Sequence, residues 1–248
     1  MRLLPLTVGN IEAQLSVLTG EIGEVTLPII SWLIEHPKGL VLFDTGMHID
    51  LQTDVSRLGR TAEFFRPDYH AGEEVSARLA EQRVRPSDVS HIVFSHLHFD
   101  HAGGTQEIPD ARVVIQEAEW AAAHEAKNIE RGIYDPVDYD HGHDVEQVTG
   151  HHDVFGDGRI VCVPTAGHTP GHQALRIELD SGPVVLTGDC VYFESMLTEM
   201  AVPKLGFNAD QQLDSMRELQ RLRDEDGCQL LFGHDQDQLE ALPTGGLD

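Results

Sequence analysis

The stretch Ser95-His96-Leu97-His98-Phe99-Asp100-His101-Ala102-Gly103-Gly104 sets three histidines and an aspartate within six positions. Just ahead of it, His91-Ile92-Val93-Phe94 reads as a short buried strand, so the chain is extended where the motif begins. In extended backbone, residues two apart share a face. His96 and His98 can therefore offer ring nitrogens to one metal ion while Asp100 and His101 turn to a second. Three more clusters each follow an apolar run: Thr165-Ala166-Gly167-His168-Thr169-Pro170-Gly171-His172, Thr187-Gly188-Asp189 and Phe232-Gly233-His234-Asp235. Ligands and catalytic groups gather on loops beyond strand ends, so these four loops are expected to converge on one edge of the sheets. Together they hold six histidines and three aspartates. That donor set suits two divalent cations per chain, zinc being the default for imidazole and carboxylate, with iron, manganese, cobalt and nickel also compatible.

Outward from the motif, the apolar runs Leu27 to Ile34 and Leu40 to Phe43 flank His36-Pro37-Lys38-Gly39 and read as a β-hairpin in the interior of a sheet. Glu73 to Arg83 carries Val75, Leu79 and Ala80 at helical spacing and stops before Pro86. Arg112 to Gln116 reads as a strand and Glu117 to Ala126 as a helix, and three more strands follow at Arg159 to Pro164, Gln173 to Leu179 and Pro183 to Thr187. Leu213, Met216, Leu219 and Leu222 mark one face of a late helix, ahead of a strand at Gln229 to Phe232. Strands interleaved with helices predict a single α/β domain over residues 1–248, with helices covering the outer faces of sheets. Residues 127–152, rich in Asp, Gly and His, lack a period and read as a surface loop or lid. Gly39-Leu-Val-Leu-Phe-Asp-Thr-Gly46 echoes Gly182-Pro-Val-Val-Leu-Thr-Gly-Asp189, a hint of internal duplication.

Composition narrows the partners. The 248 residues carry 17 basic and 42 acidic side chains, a formal charge of −25 that repels nucleic acids and anionic membrane surfaces. The acid excess, with only three lysines (Lys38, Lys127 and Lys204), also fits adaptation to high salt, although an acidic bacterial enzyme is the simpler reading. Cys162, Cys190 and Cys228 form no C-x-x-C pair and suit a reducing cytoplasm. No apolar run reaches membrane-spanning length, and residues 1–20 lack the features of an export signal. Histidines outside the four clusters, among them His36 and His48, read as surface residues.

The motifs resemble those of the metallo-β-lactamase superfamily, and more closely its N-acyl-homoserine lactonases. The resemblance runs through Phe43-Asp44-Thr45-Gly46-Met47, the Ser95 to Gly104 motif, Val114-Ile115-Gln116 ahead of Glu119, Gly167 to Gln173, and Phe232 to Asp235. It implies a four-layer αββα sandwich. By that resemblance His96, His98 and His168 hold one metal, Asp100, His101 and His234 hold the other, and Asp189 bridges both. It also implies hydrolysis of a small lactone by a bridging hydroxide, with Tyr192 polarising the carbonyl and Asp100 moving the proton, in a monomer or homodimer.

Phe99, with Met47, Phe64, Phe65, Ile133, Tyr134 and Phe207, is a candidate lining for an acyl groove. Asp44 is a candidate partner for a metal-bound imidazole, with capping of its own turn as the competing role. Alternatives within the scaffold are another lactone such as 4-pyridoxolactone, a glyoxalase II-like thioester, or a phosphodiester. Only fourteen residues follow His234, which leaves no room for the helical region glyoxalase II adds. A di-iron redox protein of the same scaffold usually carries Glu where His98 stands.

Overall fold

The Leu27 and Leu40 runs pair as an antiparallel hairpin closed by Pro37 and Lys38, with His36 opposite Gly39. In the computed structural model, which describes residues 1–248, this hairpin lies at the centre of a seven-stranded sheet. Its strands are β1 (Arg2–Gln14), β2 (Glu24–His36), β3 (Gly39–Phe43), β4 (Phe65–Asp68), β5 (Val89–Val93), β6 (Arg112–Gln116) and β7 (Val145–Val148), in the spatial order β4-β1-β2-β3-β5-β6-β7. A five-stranded sheet faces it, ordered β12-β11-β10-β9-β8, from β8 (His152–Asp153), β9 (Ile160–Pro164), β10 (Gln173–Leu179), β11 (Gly182–Leu186) and β12 (Gln229–Leu231). The helices are α1 (Leu15–Leu18), α2 (Val75–Glu81), α3 (Phe99–Ala102), α4 (Glu117–Ala123), α5 (Ala126–Glu130), α6 (Glu194–Glu199), α7 (Ala209–Asp224) and α8 (Gln236–Ala241).

Side-chain alternation builds the layers. Along β2, Ile30, Trp32 and Ile34 enter a core shared with Leu175, Ile177 and Leu179 of β10, between the sheets. Leu27, Ile29 and Leu33 point the other way, into a larger core shared with Leu79 of α2. On the second sheet, Val185 of β11 and Leu230 of β12 join Met216, Leu219 and Leu222 of α7 in that outer core. Both faces of each sheet are covered, which is why the central strands are apolar almost without interruption. The result is the expected αββα arrangement. Each fully buried Leu, Ile or Val contributes about 1.5–3 kcal/mol relative to an exposed one.

The faint sequence echo has a structural counterpart. In the first sheet β1-β2 and β2-β3 pair antiparallel and β3-β5 parallel. In the second, β9-β10 and β10-β11 pair antiparallel and β11-β12 parallel. The echoing segments are β3 and β11, third in each series. Asp44 and Asp189 follow them, and Phe94-Ser95-His96 and Phe232-Gly233-His234 follow the fourth strands.

Two expectations need correction, and one strand went unread. Residues 127–152 are not a bare loop: they contain most of α5 and the edge strand β7, and bury Tyr134, Asp138 and Tyr139. Their polarity conceals packing, because Arg57 pairs with Asp138 at 2.8 Å and the Tyr139 hydroxyl donates to the Ala123 carbonyl at 2.7 Å. The helix expected over Glu117 to Ala126 stops at Ala123, and the separate α5 starts at Ala126. Strand β1 was hidden by Pro5 and Gly9, both poor strand formers. Pro5 is tolerated because β4 pairs β1 only at Asn10 to Ala13, and Gly9, at φ 90°, sits in the register shift between Thr7 and Asn10. No helix is long and apolar enough to cross a membrane.

Candidate metal centre

The four histidine and aspartate loops meet at one edge of the sandwich, in two groups. In the first, His98 Nδ1 lies 3.0 Å from His96 Nε2 and 3.1 Å from His168 Nε2, with the three rings nearly perpendicular to one another. In the second, His101 Nε2 lies 3.6 Å from Asp100 Oδ2, and His234 completes a set whose ligand atoms fall within 4.8 Å of one another. Asp189 stands between the groups. Its Oδ2 is 3.3 Å from His168 Nε2 and 3.8 Å from His96 Nε2, while its Oδ1 is 3.1 Å from His101 Nε2 and 3.0 Å from His234 Nε2.

The chemistry of these donors fits cations. His101 Nδ1 is 2.8 Å from the Asp44 carboxylate and His234 Nδ1 is 3.0 Å from the Pro28 carbonyl, both of which accept only. Each ring therefore carries its proton on Nδ1, and when neutral it turns a bare Nε2 lone pair toward Asp189. His101 Nε2 is buried without a hydrogen-bond partner. Acceptors facing acceptors in a buried site call for positive charge between them. Burial pulls the His96, His98 and His168 imidazoles below their ordinary range, toward the neutral form that ligates metals. Burial also acts on His101 and His234, but there the neighbouring carboxylates, Asp189 foremost, outweigh it and hold both imidazoles above the ordinary range, so a second proton at Nε2 answers the same demand for positive charge that a cation would. Burial would raise the Asp189 carboxyl, yet His101, His234 and His168 hold it well below the usual carboxylate range.

Surrounding groups fix these ligands in place. Asp44, directly after β3, adopts φ 61°, a left-handed backbone uncommon outside glycine. Its carboxylate accepts from the Ser95 N–H and Ser95 hydroxyl, both at 2.7 Å, as well as from His101. Of the two roles weighed for Asp44, orienting an imidazole is the one its contacts support: its carboxylate also ties β3 to the motif loop and makes no hydrogen bond to its own turn. His172 Nε2 accepts the Asp189 backbone N–H at 3.0 Å, and its Nδ1 meets the Thr165 hydroxyl at 2.8 Å. Gly188, at φ 51°, leaves room for that ring, since a Cβ there would stand 2.8 Å from His172 Nε2. From α7, Gln212 donates to the carbonyls of Asp189 and Cys190 at 3.2 and 3.1 Å. Gln116 donates to Gln173 at 2.8 Å across the sandwich, and Gln173 donates to the Phe94 carbonyl at 2.8 Å. Sequence reading left Gln212 out because one amide on a helix carries no signal of what it holds.

His172 gives a measurable pH effect. Burial drives its imidazole down to about 3, whereas an unfolded histidine titrates near 6.5. Below 6.5 the unfolded chain takes up a proton that the folded state refuses. The stability His172 contributes above pH 6.5 is therefore lost as pH falls toward 3, at about 1.4 kcal/mol per pH unit. Urea unfolding at pH 7 and pH 5 is expected to show a shallower loss in His172→Gln, and equal slopes would contradict this assignment.

Tyr192 is buried with its ring 5.2 Å from His234 and 6.0 Å from His168, and it also packs edge-on against Phe193 at 6.2 Å. Burial, with Asp189 and Asp100 nearby, holds its phenol well above the ordinary range, so it stays a donor. Beside His98 a cleft of about 160 Å³ opens, lined by Leu51, Leu58, Phe99, Ile133 and Tyr134 with the ion pair of Arg57 and Asp138. Tyr134 joins it to the histidines, its ring 5.5 Å from that of His98.

The groove expected from sequence is only partly this one. Met47 is fully buried, with Tyr69 donating to its carbonyl at 3.3 Å, and Phe64 and Phe65 do not line the cleft. Phe207 lies on the rim near His168, its N–H 2.9 Å from the His168 carbonyl and its side chain 59% exposed. His36 and His48, expected at the surface, are both buried, His36 stacking on Phe155 and His48 accepting the Asp50 N–H. Cys162, Cys190 and Cys228 are buried and unpaired.

Fold and site together define a class: the chain belongs to the metallo-beta-lactamase superfamily, which it matches over residues 26–234. Within that superfamily its relatives are N-acyl homoserine lactonases. It is 31% identical over 253 residues to the N-acyl homoserine lactonase AttM of Azorhizobium caulinodans, covering 96% of this chain and 94% of that protein. To an N-acyl homoserine lactonase of a Bacillus species it is 32% identical over 223 residues, 86% of this chain and 83% of the other. A solved N-acyl homoserine lactone hydrolase, with the product N-hexanoyl-L-homoserine bound at its catalytic metal center, superposes with a TM-score of 0.87 at 26% identity, over 98% of this chain and 96% of that one.

Proposed function

We propose that this protein hydrolyses the lactone ring of N-acyl homoserine lactones with two divalent cations, zinc by donor chemistry. His96, His98 and His168 would hold one, Asp100, His101 and His234 the other, and Asp189 would serve both. When bound, such a pair supplies a hydroxide nucleophile at neutral pH and Lewis-acid polarisation of the carbonyl. The observation that carries this reading is Asp189, whose two carboxylate oxygens are turned to separate sets of imidazoles at 3.0–3.8 Å. The choice of a lactone rests on what the relatives are named for.

The chain's own groups divide the remaining work. Tyr192, kept protonated, donates its O–H to the lactone carbonyl oxygen, where negative charge grows as the ring is attacked. Asp100 carries a proton to the departing alkoxide from the solvent side of the site, its side chain 14% exposed. Leu51, Leu58, Phe99 and Ile133 take the acyl chain and exclude water from it. A neutral lactone approaches a protein of charge −25 without repulsion, and the carboxylate product is pushed away. The three unpaired thiols suit work in the cytoplasm.

Acid release from N-hexanoyl homoserine lactone, followed at constant pH beside a thioester and a chromogenic phosphodiester, tests the substrate class. Rapid opening of the lactone alone is expected; turnover of the thioester alone would contradict the proposal. Tyr192→Phe is expected to keep its metal while kcat falls roughly 100-fold, the cost of one lost donor to a developing oxyanion. An unchanged rate would take Tyr192 out of the mechanism.

A further inference from the structure

Glu119, in the first turn of α4, is fully buried, and the mechanism above gives it no task. Its Oε1 accepts from the Leu97 N–H at 3.1 Å and the Tyr134 O–H at 3.0 Å, and its Oε2 accepts from the Gly171 N–H at 3.0 Å. Burial raises its carboxyl above the usual range and the surrounding donors pull it back. Leu97 is the residue between His96 and His98, and Gly171 lies between His168 and His172. One carboxylate therefore grips two loops that leave different sheets, and it does so at Leu97, between His96 and His98, and at Gly171, three residues after His168, which are the positions of the first group; Asp100 and His101 follow later, on α3. Gly171 marks how close the loops come, since a Cβ there would stand 2.1 Å from the Glu119 backbone nitrogen. The second group has no such link. Its His101 is held by Asp44 and its His234 by the Pro28 carbonyl.

We propose that Glu119 is a positioning residue for one cation only, setting the spacing of His96 and His98 against His168 and leaving the Asp100, His101 and His234 group to other supports. This rests on the two-cation reading above. A glutamine at 119 offers one acceptor and one NH2 where two backbone N–H groups and a hydroxyl all need an acceptor. Whichever way the amide turns, a donor faces a donor and the loops part. Partners that orient metal ligands typically govern about 10–100-fold in affinity.

The test is zinc content of the full chain after dialysis against chelator-buffered zinc, with thermal unfolding recorded on the same samples. At a free zinc concentration where the parent protein holds two ions per chain, Glu119→Gln is expected to hold one. Adding Glu119→Gln to His168→Ala should cost no further zinc, whereas adding it to His234→Ala should. Parallel loss from both groups, tracking a fall in melting temperature, would make Glu119 a general support and overturn the proposal, as would two ions retained. If Glu119→Gln does not fold, Tyr134→Phe removes one of the three donors and is expected to show the same selective loss at smaller size. An even loss from both groups, or none, overturns the proposal there too. Zinc bound as expected without lactone hydrolysis would sink the substrate assignment and leave Glu119 standing, whereas a parent protein that binds no zinc would sink both.

Discussion

Asp189→Ala is expected to strip the purified protein of zinc and to lower lactone hydrolysis by at least about 1,000-fold, the largest single effect at the site. The carboxylate lies within 3.3 Å of His101, His168 and His234, so its removal leaves both groups one ligand short and deletes the carboxylate that faces both. Asp189→Asn separates charge from shape. Its amide keeps the volume but points an NH2 at one set of rings, so one ion is expected to be lost more readily than the other. Metal analysis and circular dichroism on the same preparations separate this from unfolding. Full zinc content and full turnover in Asp189→Ala would defeat the proposed mechanism.

Asp44→Ala comes second. Its carboxylate is buried and accepts three hydrogen bonds, from the Ser95 N–H, the Ser95 hydroxyl and His101 Nδ1. Truncation leaves those donors without a partner and frees the His101 ring to change tautomer. Breaking one side of such a buried polar set costs about 3–5 kcal/mol, and the ion held by His101 should bind about 10–100-fold more weakly. Urea unfolding measures the first and zinc competition the second. A stability change under about 1 kcal/mol with unaltered zinc affinity would show that Asp44 does no more than shape its own turn.

What was legible in the sequence depended on whether a signal was local. His96 and His98 could be read directly, because a two-residue repeat on extended backbone puts both side chains on one face, whereas Asp100 and His101 stand on the short helix α3 and were legible only as members of the same motif. His168, Asp189 and His234 were legible as polar clusters after apolar runs, but the seven came together as two groups only through the family resemblance. Asp44 looks the same whether it caps a turn or holds an imidazole. The difference lies in the parallel pairing of β3 and β5, which no local pattern records. The cleft was less legible still. Leu51, Leu58 and Ile133 sit on segments without a period, and the ion pair of half-buried Arg57 with buried Asp138 masked the packing of 127–152. The echo between Gly39 to Gly46 and Gly182 to Asp189 was no more than a hint of duplication in the sequence, and the strand order of the two sheets repeats around it.

The most direct measurement is an anomalous-difference map from crystals of the zinc-loaded protein. Two peaks about 3.5–4 Å apart are expected on either side of Asp189. One should lie about 2.0–2.2 Å from the ring nitrogens of His96, His98 and His168, the other at similar range from Asp100, His101 and His234. A single peak elsewhere, or none with these side chains turned apart, would contradict the paired-cation centre on which the hydrolase rests.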